Sequence, residues 1–267
     1  MPAPRIAIFI PAYNCAKTLP GVLDRIPQQV REAAEEIFVV DDASADGTDQ
    51  VARDYKARQG LESLQVYRNE RNLGYGGSQK FAYRHAIEQG YDIVVMLHGD
   101  AQYAPEYLEV LLEPIRQGEA DLMFGSRMSG SPLAGGMPLH KFIGNKFLTG
   151  LENLVLGWNL SEFHSGFRAF RCEALRQVPF QACSDYYHFD SEILIQFKLR
   201  GLRVVEQPIP THYGAERCYL NVWRYGVSIL GTLGAYLLHR TGMRRTAKFE
   251  LLLAELAAPE AEALASR

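Results

Sequence analysis

The sequence predicts an α/β fold with a mostly parallel sheet and helices on both of its faces. Short apolar runs rich in Ile, Val and Phe alternate with longer stretches of helical length. The runs are continuously apolar, which is typical of strands covered on both faces. Strands that alternate with helices form crossover units, and these units place successive strands in parallel.

Five strands and the helices between them account for the first half of the chain. The first helix has Thr18 at its N-cap and Pro20 in its first turn, and a later helix begins at Pro105. Two further helices are predicted over residues 47–58 and 74–90. The predicted strands span residues 5–11, 36–42, 63–69, 93–97 and 120–127.

Composition and charge exclude several classes of protein. A chain of 267 residues can form one large domain with an appendage. The formal net charge of −3 gives no electrostatic support for nucleic-acid binding. No signal peptide is expected, because the first apolar run is short and flanked by prolines. The cysteines have neither Cys-x-x-Cys nor zinc-finger spacing, so we expect reduced thiols in a cytoplasmic protein: Cys15, Cys172, Cys183 and Cys218.

The C-terminal part predicts a helical extension, residues 216–267, that follows a domain of residues 1–215. Its apolar stretch, residues 227–238, is shorter than the roughly 20 residues that a membrane-spanning helix needs. Aromatic residues precede this stretch and basic residues follow it, which suits a membrane surface. A helix packed on the protein body or on a second subunit fits equally well. Residues 246–267 predict a further helix that would mediate homo-oligomer formation or remain loosely attached.

Polar segments follow four of the predicted strands, at residues 11–14, 41–48, 69–77 and 98–102. The carboxyl ends of parallel strands meet at one edge of a sheet, and ligands bind in the crevice outside that edge. These segments contain carboxylates, glycines and aromatic side chains. No Gly-x-Gly-x-x-Gly follows the first strand and no Gly-Lys-Ser/Thr occurs, which disfavours a dinucleotide site or a P-loop.

The ordered set of motifs in these segments resembles one known family. In chain order the motifs are "IPAYN", "VVDDASADGT", "NLGYGG", "HGDAQYAPE", "GSR", "SGFRAFR", "FDSEI" and "VVEQPIPTHY". Each motif alone is weak evidence, whereas their order over about the first 215 residues is specific. The chain resembles inverting glycosyltransferases of family 2 with the GT-A fold, and it is similar to the catalytic domains of dolichyl-phosphate mannose synthases.

The resemblance implies a nucleotide-sugar donor bound at the carboxyl ends of the strands. Asp42 would accept a hydrogen bond from the base, and Tyr13 and Asn14 would help to shape the base pocket. The alternative for Asp42 is a cap of the following turn or helix. The predicted donor-binding residues are Pro11, Ala12, Tyr13, Asn14, Asp41, Asp42, Ser44, Gly74, His98, Gly99 and Ala101.

The resemblance also implies a divalent cation, manganese or magnesium, that offsets the charge of the leaving diphosphate. The family usually has Asp-x-Asp after its fourth strand. Here Asp100 matches the second aspartate, Gln102 matches a glutamine that often follows, and His98 replaces the first aspartate. Asp100, Gln102 and His98 are the predicted metal ligands. Imidazole suits manganese better than magnesium, and His98 would alternatively contact the donor or be satisfied by backbone.

Two arginines and two carboxylates in later motifs are predicted to act in catalysis together with Asp100. Guanidinium forks match phosphate geometry, so Arg127 and Arg168 are predicted to bind the donor diphosphate or a phosphate on the acceptor. A hydroxyl acceptor would need a general base, and Asp190 or Glu192 would supply it unless they only cap their helix.

A polyprenyl phosphate is already an anion and would need no base. We favour this acceptor, bound by an enzyme attached peripherally to the cytoplasmic face of a membrane. The Gly- and Pro-rich residues 129–138 would form a lid over it.

Two other classes of protein are also considered. A nucleotidyltransferase usually has a Gly-rich loop with Arg or Lys after its first strand, and residues 11–18 lack such a loop. An inactive scaffold that only binds the donor is the second alternative, because His98 departs from the Asp-x-Asp pattern.

Overall fold

The computed structural model describes residues 3–210 and 220–250. Seven strands form one sheet, in the spatial order β3-β2-β1-β4-β6-β5-β7. The strands are β1 Ile6–Ala12, β2 Ala34–Asp41, β3 Leu64–Arg68, β4 Ile93–Met96, β5 Leu122–Ser126, β6 Arg168–Arg171 and β7 Val204–Pro208. The α-helices are α1 Leu19–Asp24, α2 Gln28–Ala33, α3 Thr48–Gln59, α4 Gly74–Glu88, α5 Leu108–Arg116, α6 Leu139–Leu156, α7 Cys172–Arg176, α8 Phe189–Leu199 and α9 Val222–Arg240.

The predicted parallel half of the sheet is confirmed. β1 pairs in parallel with β2 and β4, and β2 pairs in parallel with β3. β6 lies between β4 and β5 and is antiparallel to both, so β5 runs in the same direction as β4. The carboxyl ends of β1, β2, β4 and β5 therefore meet at one edge, which we call the rim.

The core occupies both faces of the sheet, as the continuously apolar strands predict. Ile8 and Ile10 of β1 pack on one face with residues of α1, α3 and α5. Ala7 and Phe9 point to the other face and pack with residues of α4, α7 and α8. Successive side chains of a strand alternate between faces, so a strand buried on both sides must be apolar throughout.

Several elements differ from the prediction. The helix predicted from Pro105 begins with a 3-10 turn, and α5 itself starts at Leu108. α2, α6, α7, β6 and β7 were not predicted. The apolar stretch 227–238 lies in α9, which packs against α6. The boundary predicted near residue 215 and most of the predicted C-terminal tail lie outside the described residues, and the division into two domains stays a prediction.

Candidate active site

Backbone strain is concentrated at the rim. Among residues 3–210 and 220–250, three non-glycine residues have a positive φ: Asn14 at 50°, Ala43 at 58° and Ala101 at 65°. Each follows the end of a rim strand, β1, β2 or β4. A non-glycine residue in this conformation costs about 1–3 kcal/mol, and such residues cluster where function fixes the backbone.

The loops after β1 and β2 are joined by hydrogen bonds, which brings several predicted donor-binding residues together. The Asn14 amide donates to Ser44 Oγ over 2.9 Å, and the Ala45 amide donates to Asn14 Oδ1 over 2.9 Å. Tyr13 lies beside them with an exposed ring. The loop that contains "PAYN" is therefore held against the loop after β2, and its role as the wall of a base pocket stays a prediction.

The two consecutive aspartates after β2 have different partners. Asp41 is fully buried, and burial raises the pKa of its carboxyl group. Arg68 Nη1 donates to it over 2.8 Å. Asp42 accepts the amides of Leu73 and Gly74 over 2.7 and 2.9 Å, at the start of α4. A carboxylate at a helix N-terminus is stabilised by the helix dipole, so Asp42 caps α4, and its role in base recognition stays a prediction.

The loop after β4 is fixed to the loop after β1 and leaves Asp100 half-buried. Thr18 Oγ1 donates to the Gly99 carbonyl over 2.7 Å. A Cβ at Gly99 would lie 3.0 Å from Cys15 Sγ, so a larger residue would push Cys15 away by a few tenths of an ångström. The Gln102 amide donates to Asp100 Oδ1 over 3.1 Å. This contact is made by the backbone of Gln102, and ligation by its side chain stays a prediction.

His98 points to the segment before β6. A Cβ on Gly166 would lie 2.5 Å from His98 Nε2 and 2.5 Å from Tyr75 Oη, so both side chains occupy the space that Gly166 leaves. His98 Nε2 is buried and has no hydrogen-bond partner among the described residues. Burial lowers the pKa of His98, although Asp100 and Asp190 oppose this effect. Burial thus favours the neutral imidazole form of His98.

These residues fit a divalent cation held mainly through Asp100. Within the described ranges no three His, Cys, Asp or Glu side chains are grouped so that they could hold a metal. Magnesium sites commonly combine one or two carboxylates with substrate phosphates and water, and the partly exposed Asp100 carboxylate suits this arrangement. His98 Nε2 faces Gly166 and Tyr75 instead, so the geometry supports Asp100 more directly than His98.

Asp190 belongs to a buried polar network behind the rim. It lies in the first turn of α8, as predicted. Tyr75 Oη donates to Asp190 Oδ2 over 2.9 Å, and Gln79 Nε2 donates to Oδ1 over 3.3 Å. Arg168 Nη1 lies 3.8 Å from the same carboxylate. Both carboxylate oxygens of Asp190 already serve to hold α8 against α4.

Glu192 holds a different part of the protein. Its side chain is fully buried, and the Ser184 amide donates to Oε2 over 2.6 Å. Lys248 Nζ donates to Oε1 and forms an ion pair with it. Glu192 thus ties the segment after α9 to α8. A general-base role for either carboxylate stays untested, although neither is exposed as a free base.

Arg168, which the sequence predicts to bind a phosphate, lies in the interior of the protein, and this role stays a prediction. It is fully buried, and its guanidinium donates to the carbonyls of Ser165, Asp190 and Phe163 over 2.7, 3.0 and 2.8 Å. A buried guanidinium must satisfy its donors internally, so Arg168 organises the backbone around it. Contact with a phosphate would require Arg168 to give up these bonds.

Arg127 lies at the rim, directly after β5. Its amide and Nε donate to the fully buried carboxylate of Glu162 over 2.8 and 3.0 Å, and Nη2 donates to the His164 carbonyl over 3.0 Å. The charge of Arg127 lowers the pKa of Glu162 despite burial. Sequence reasoning missed Glu162 and Tyr75. Tyr75 lies inside the quoted "NLGYGG", but Glu162 precedes its motif and carried no signal.

A second buried polar cluster joins α6, α8 and α9. Ser191 Oγ donates to Glu152 Oε1 over 2.7 Å, and His164 Nε2 lies 3.2 Å from Glu152 Oε2. Tyr225 Oη lies 2.7 Å from His164 Nδ1. Burial raises the pKa of Glu152 to about 8 and lowers the pKa of His164 to about 4. Burial therefore favours the uncharged form of both side chains.

Comparison with known proteins identifies the family. The sequence profile of Glycosyl transferase family 2 matches residues 7–178. The chain is 34% identical over 210 residues to an undecaprenyl-phosphate mannosyltransferase of Micrococcus luteus, covering 77% of this chain and 82% of that protein. It is 29% identical over 209 residues to a polyprenol monophosphomannose synthase of Mycolicibacterium smegmatis, covering 78% and 77%. The chain belongs to glycosyl transferase family 2 and is a glycosyltransferase.

The solved structures agree on the fold. Glucosyl-3-phosphoglycerate synthase from Mycobacterium tuberculosis, crystallised with Mn2+, uridine diphosphate and phosphoglyceric acid, superposes with a TM-score of 0.67. The match covers 90% of this chain and 79% of that chain at 19% identity. The predicted GT-A fold and family resemblance are thus confirmed, and the nucleotidyltransferase alternative is wrong. None of the helices in the described ranges is long and apolar enough to cross a membrane.

Proposed function

We propose that this glycosyltransferase moves a sugar from a nucleotide-sugar donor to a polyprenyl phosphate. The proposal rests on a contrast between carboxylates. Asp100 is partly exposed at the rim, whereas Asp190 and Glu192 are buried behind it and accept hydrogen bonds from other parts of the protein. An enzyme with a hydroxyl acceptor needs a general base that can reach the substrate. A lipid phosphate attacks as an anion, so this arrangement suits it.

The named relatives support the same acceptor class. One acts on undecaprenyl phosphate and another makes polyprenol monophosphomannose. A third, from Methanococcus voltae, is a UDP-N-acetylglucosamine–dolichyl-phosphate N-acetylglucosaminyltransferase, 29% identical over 218 residues. Their sugars differ, so these relatives support the acceptor class and leave the sugar open. Since such an acceptor resides in a bilayer, the proposal includes peripheral attachment to the cytoplasmic face of a membrane.

In this proposal the loops after β1 and β2 bind the nucleoside, with Asp42 near the base and Tyr13 forming part of the wall. Asp100 holds a divalent cation, which would offset the charge on the leaving diphosphate. Arg127 lies at the same edge and orients an anionic acceptor, while Glu162 keeps its guanidinium in place. If the Asp42→Asn variant kept the stability and the nucleotide affinity of the wild type, Asp42 would have no role in base recognition and would only cap α4.

The test is a transfer assay with the purified chain, labelled UDP- and GDP-sugars, and a polyprenyl phosphate in detergent micelles. We expect labelled lipid from at least one donor in the presence of Mn2+ or Mg2+. Asp100→Asn should lower turnover about a hundredfold or more, which corresponds to about 2.7 kcal/mol. The matched control is Asp92→Asn, which changes a carboxylate just before the opposite end of the same strand.

Calorimetry of nucleoside-diphosphate binding separates binding from chemistry. Asp100→Asn is expected to lose the metal-dependent part of the affinity. A hydroxyl acceptor would be favoured instead if Asp190→Asn or Glu192→Gln abolished turnover while donor binding and stability stayed intact. Absence of transfer to any polyprenyl phosphate, together with transfer to a soluble hydroxyl, would refute the proposal.

A further inference from the structure

The outer side of α6 is an exposed apolar face. Leu139, Ile143, Phe147 and Leu154 are all exposed, and Leu154 is 80% exposed. Their spacings of four, four and seven residues place them on one side of the helix. Single exposed apolar side chains are common on soluble proteins, whereas a contiguous row indicates an interaction surface.

α9 has an exposed apolar face of its own. Trp223 at its start is 88% exposed. Four further exposed apolar residues recur at helical spacing on the same side: Val227, Leu230, Leu237 and Leu238. The buried side of the helix carries Tyr225, Ile229 and Tyr236 instead, so α9 is apolar on two sides and only one of them is covered.

The two exposed faces adjoin each other. α6 and α9 pack together through a small apolar cluster made by Leu148, Leu151, Val155, Tyr225, Ile229 and Leu233. Leu151 lies one turn after the exposed Phe147, and the exposed Leu237 lies one turn after Leu233. The contact between the helices therefore borders the exposed face of each, and we call the combined area the α6–α9 surface.

The two segments that form this surface carry a net positive charge. Residues 129–156 and 220–249 contain a single carboxylate, Glu152, which is fully buried. The same segments contain seven basic residues: Lys141, Lys146, Arg224, Arg240, Arg244, Arg245 and Lys248. The chain as a whole has a formal net charge of −3, so these segments differ from the rest of the chain by their lack of acidic residues and carry a net positive charge.

Both helices reach the residues that hold Arg127 at the rim. Asn145 of α6 donates to Glu162 Oε1 over 2.9 Å, and Glu162 binds Arg127. Tyr225 of α9 contacts His164, whose carbonyl accepts a hydrogen bond from Arg127. The α6–α9 surface is therefore linked by direct contacts to the acceptor side of the site.

We propose that the α6–α9 surface docks on a lipid bilayer that contains anionic lipids. The apolar side chains insert at the level of the headgroups, and the surrounding arginines meet lipid phosphates. The inference deepens the proposed function, because it names the surface that brings the rim to a lipid acceptor. A second copy of the chain is the competing occupant, but a twofold contact would bring like-charged surfaces together.

Vesicle binding tests the proposal without donor or acceptor. The chain has two tryptophans, Trp158 and Trp223, so Trp158→Phe leaves Trp223 as the only indole reporter. We expect its emission to shift to shorter wavelength, and brominated lipids to quench it, on vesicles of phosphatidylcholine with phosphatidylglycerol. The bound fraction should fall as salt is raised, and pure phosphatidylcholine vesicles should bind much less protein.

Charged substitutions test the surface itself. Phe147→Asp combined with Val227→Asp should lower vesicle affinity at least tenfold. Val110→Asp is the matched control, because Val110 is an exposed apolar residue of α5, which packs on the other face of the sheet. Replacing Arg240, Arg244 and Arg245 by Gln should weaken binding and reduce its salt dependence, whereas Arg58→Gln on α3 should change neither.

Three results would overturn the proposal: no binding of the wild-type chain to anionic vesicles at low salt, unchanged binding of the double aspartate variant, or a dimer in light scattering that buries Trp223. Turnover on a short, water-soluble prenyl phosphate distinguishes failure of the docking proposal from failure of the proposed function, because this acceptor does not require a membrane. The double aspartate variant should match wild type on that acceptor and lose turnover only on long-chain acceptor in vesicles. If the wild-type chain transfers to neither acceptor, the proposed function fails while the vesicle result stands independently.

Discussion

The carboxylates that the sequence predicts for catalysis fall into two groups with different surroundings. Asp100 is half-buried at the rim, where a backbone amide donates to it. Asp190 and Glu192 lie on α8 behind the rim, buried and bound by groups from other elements. The arginines divide in the same way, with Arg127 at the rim and Arg168 in the interior. The role of a charged residue thus depends on which of its donors or lone pairs the fold already uses.

Arg168→Met should produce the largest change, because it tests the interior group directly. Loss of the guanidinium leaves three buried carbonyls and Asp190 without their partner. Breaking a buried charge network of this kind typically costs about 3–5 kcal/mol. The free energy of unfolding from urea titration measures it, and Arg171→Met, a partly exposed arginine of the same strand, should cost about 1 kcal/mol or less. If the Arg168→Met protein were stable and no longer bound the donor, the result would instead support the predicted role of Arg168 in binding a phosphate.

Gly166→Ala tests the close packing of Tyr75, which binds Asp190, and of His98, which follows β4, against the segment before β6. The new Cβ would lie 2.5 Å from His98 Nε2 and 2.5 Å from Tyr75 Oη, so both of these side chains must move. We expect a cost of about 1–3 kcal/mol in the free energy of unfolding and lower turnover. Gly21→Ala in α1 is the control, because a Cβ there meets nothing within 4 Å.

A double-mutant cycle makes the Gly166 result specific. His98→Ala removes one of the two crowding side chains, so it should recover part of the stability lost by Gly166→Ala. Strict additivity of the two changes would contradict the close packing of His98 on Gly166.

The smallest expected effect is a pH dependence that arises from Glu152. Its pKa is about 8 in the folded protein, against an ordinary value of 4.5. Between these values the folded state holds a proton that the unfolded state has released, so the free energy of unfolding falls as pH rises towards 8. The lowered pKa of His164, about 4 against 6.5, acts in the opposite direction, but only below about pH 6.5.

Urea midpoints between about pH 6.5 and pH 8 isolate the contribution of Glu152. Glu152→Gln should flatten the decline, because an amide cannot ionise. Glu106→Gln should leave it unchanged, since Arg25 lowers the pKa of Glu106 and moves its titration below this range. An identical decline in wild type and Glu152→Gln would show that another group titrates.

The parallel half of the fold was predictable because its signals are local. Each of β1 to β4 is an apolar run followed by a polar loop. Because these strands are parallel, their loops meet at one edge of the sheet. β6 was missed because its four residues, Arg-Ala-Phe-Arg, are too short and too polar to indicate a buried strand. α6 was missed for another reason: its apolar residues lie on a buried and on an exposed side, which obscures the helical periodicity.

The candidate site was predictable to a similar extent. Asp100, Asn14 and Ser44 follow strands, and they lie at the rim as predicted. Glu162 precedes β6, and it reaches the rim because that strand is antiparallel to its neighbours. A search of residues that follow strands cannot find it. Two partners of Arg168, the carbonyls of Ser165 and Phe163, are close in the sequence, and the third belongs to Asp190 of α8. The motif that contains Arg168 gave no sign of burial.

The position of β6 has a consequence for how the chain folds during synthesis. Each of the strands β2, β3 and β4 can pair with a strand made before it as soon as it emerges from the ribosome, because β2 pairs with β1, β3 with β2 and β4 with β1. β5 ends at Ser126, yet its neighbours in the sheet, β6 and β7, begin at Arg168 and Val204. A strand that is buried along its whole length in the finished sheet therefore emerges without a partner and must wait until the next long segment has been made. The half of the sheet that carries Arg127 is thus the last to form.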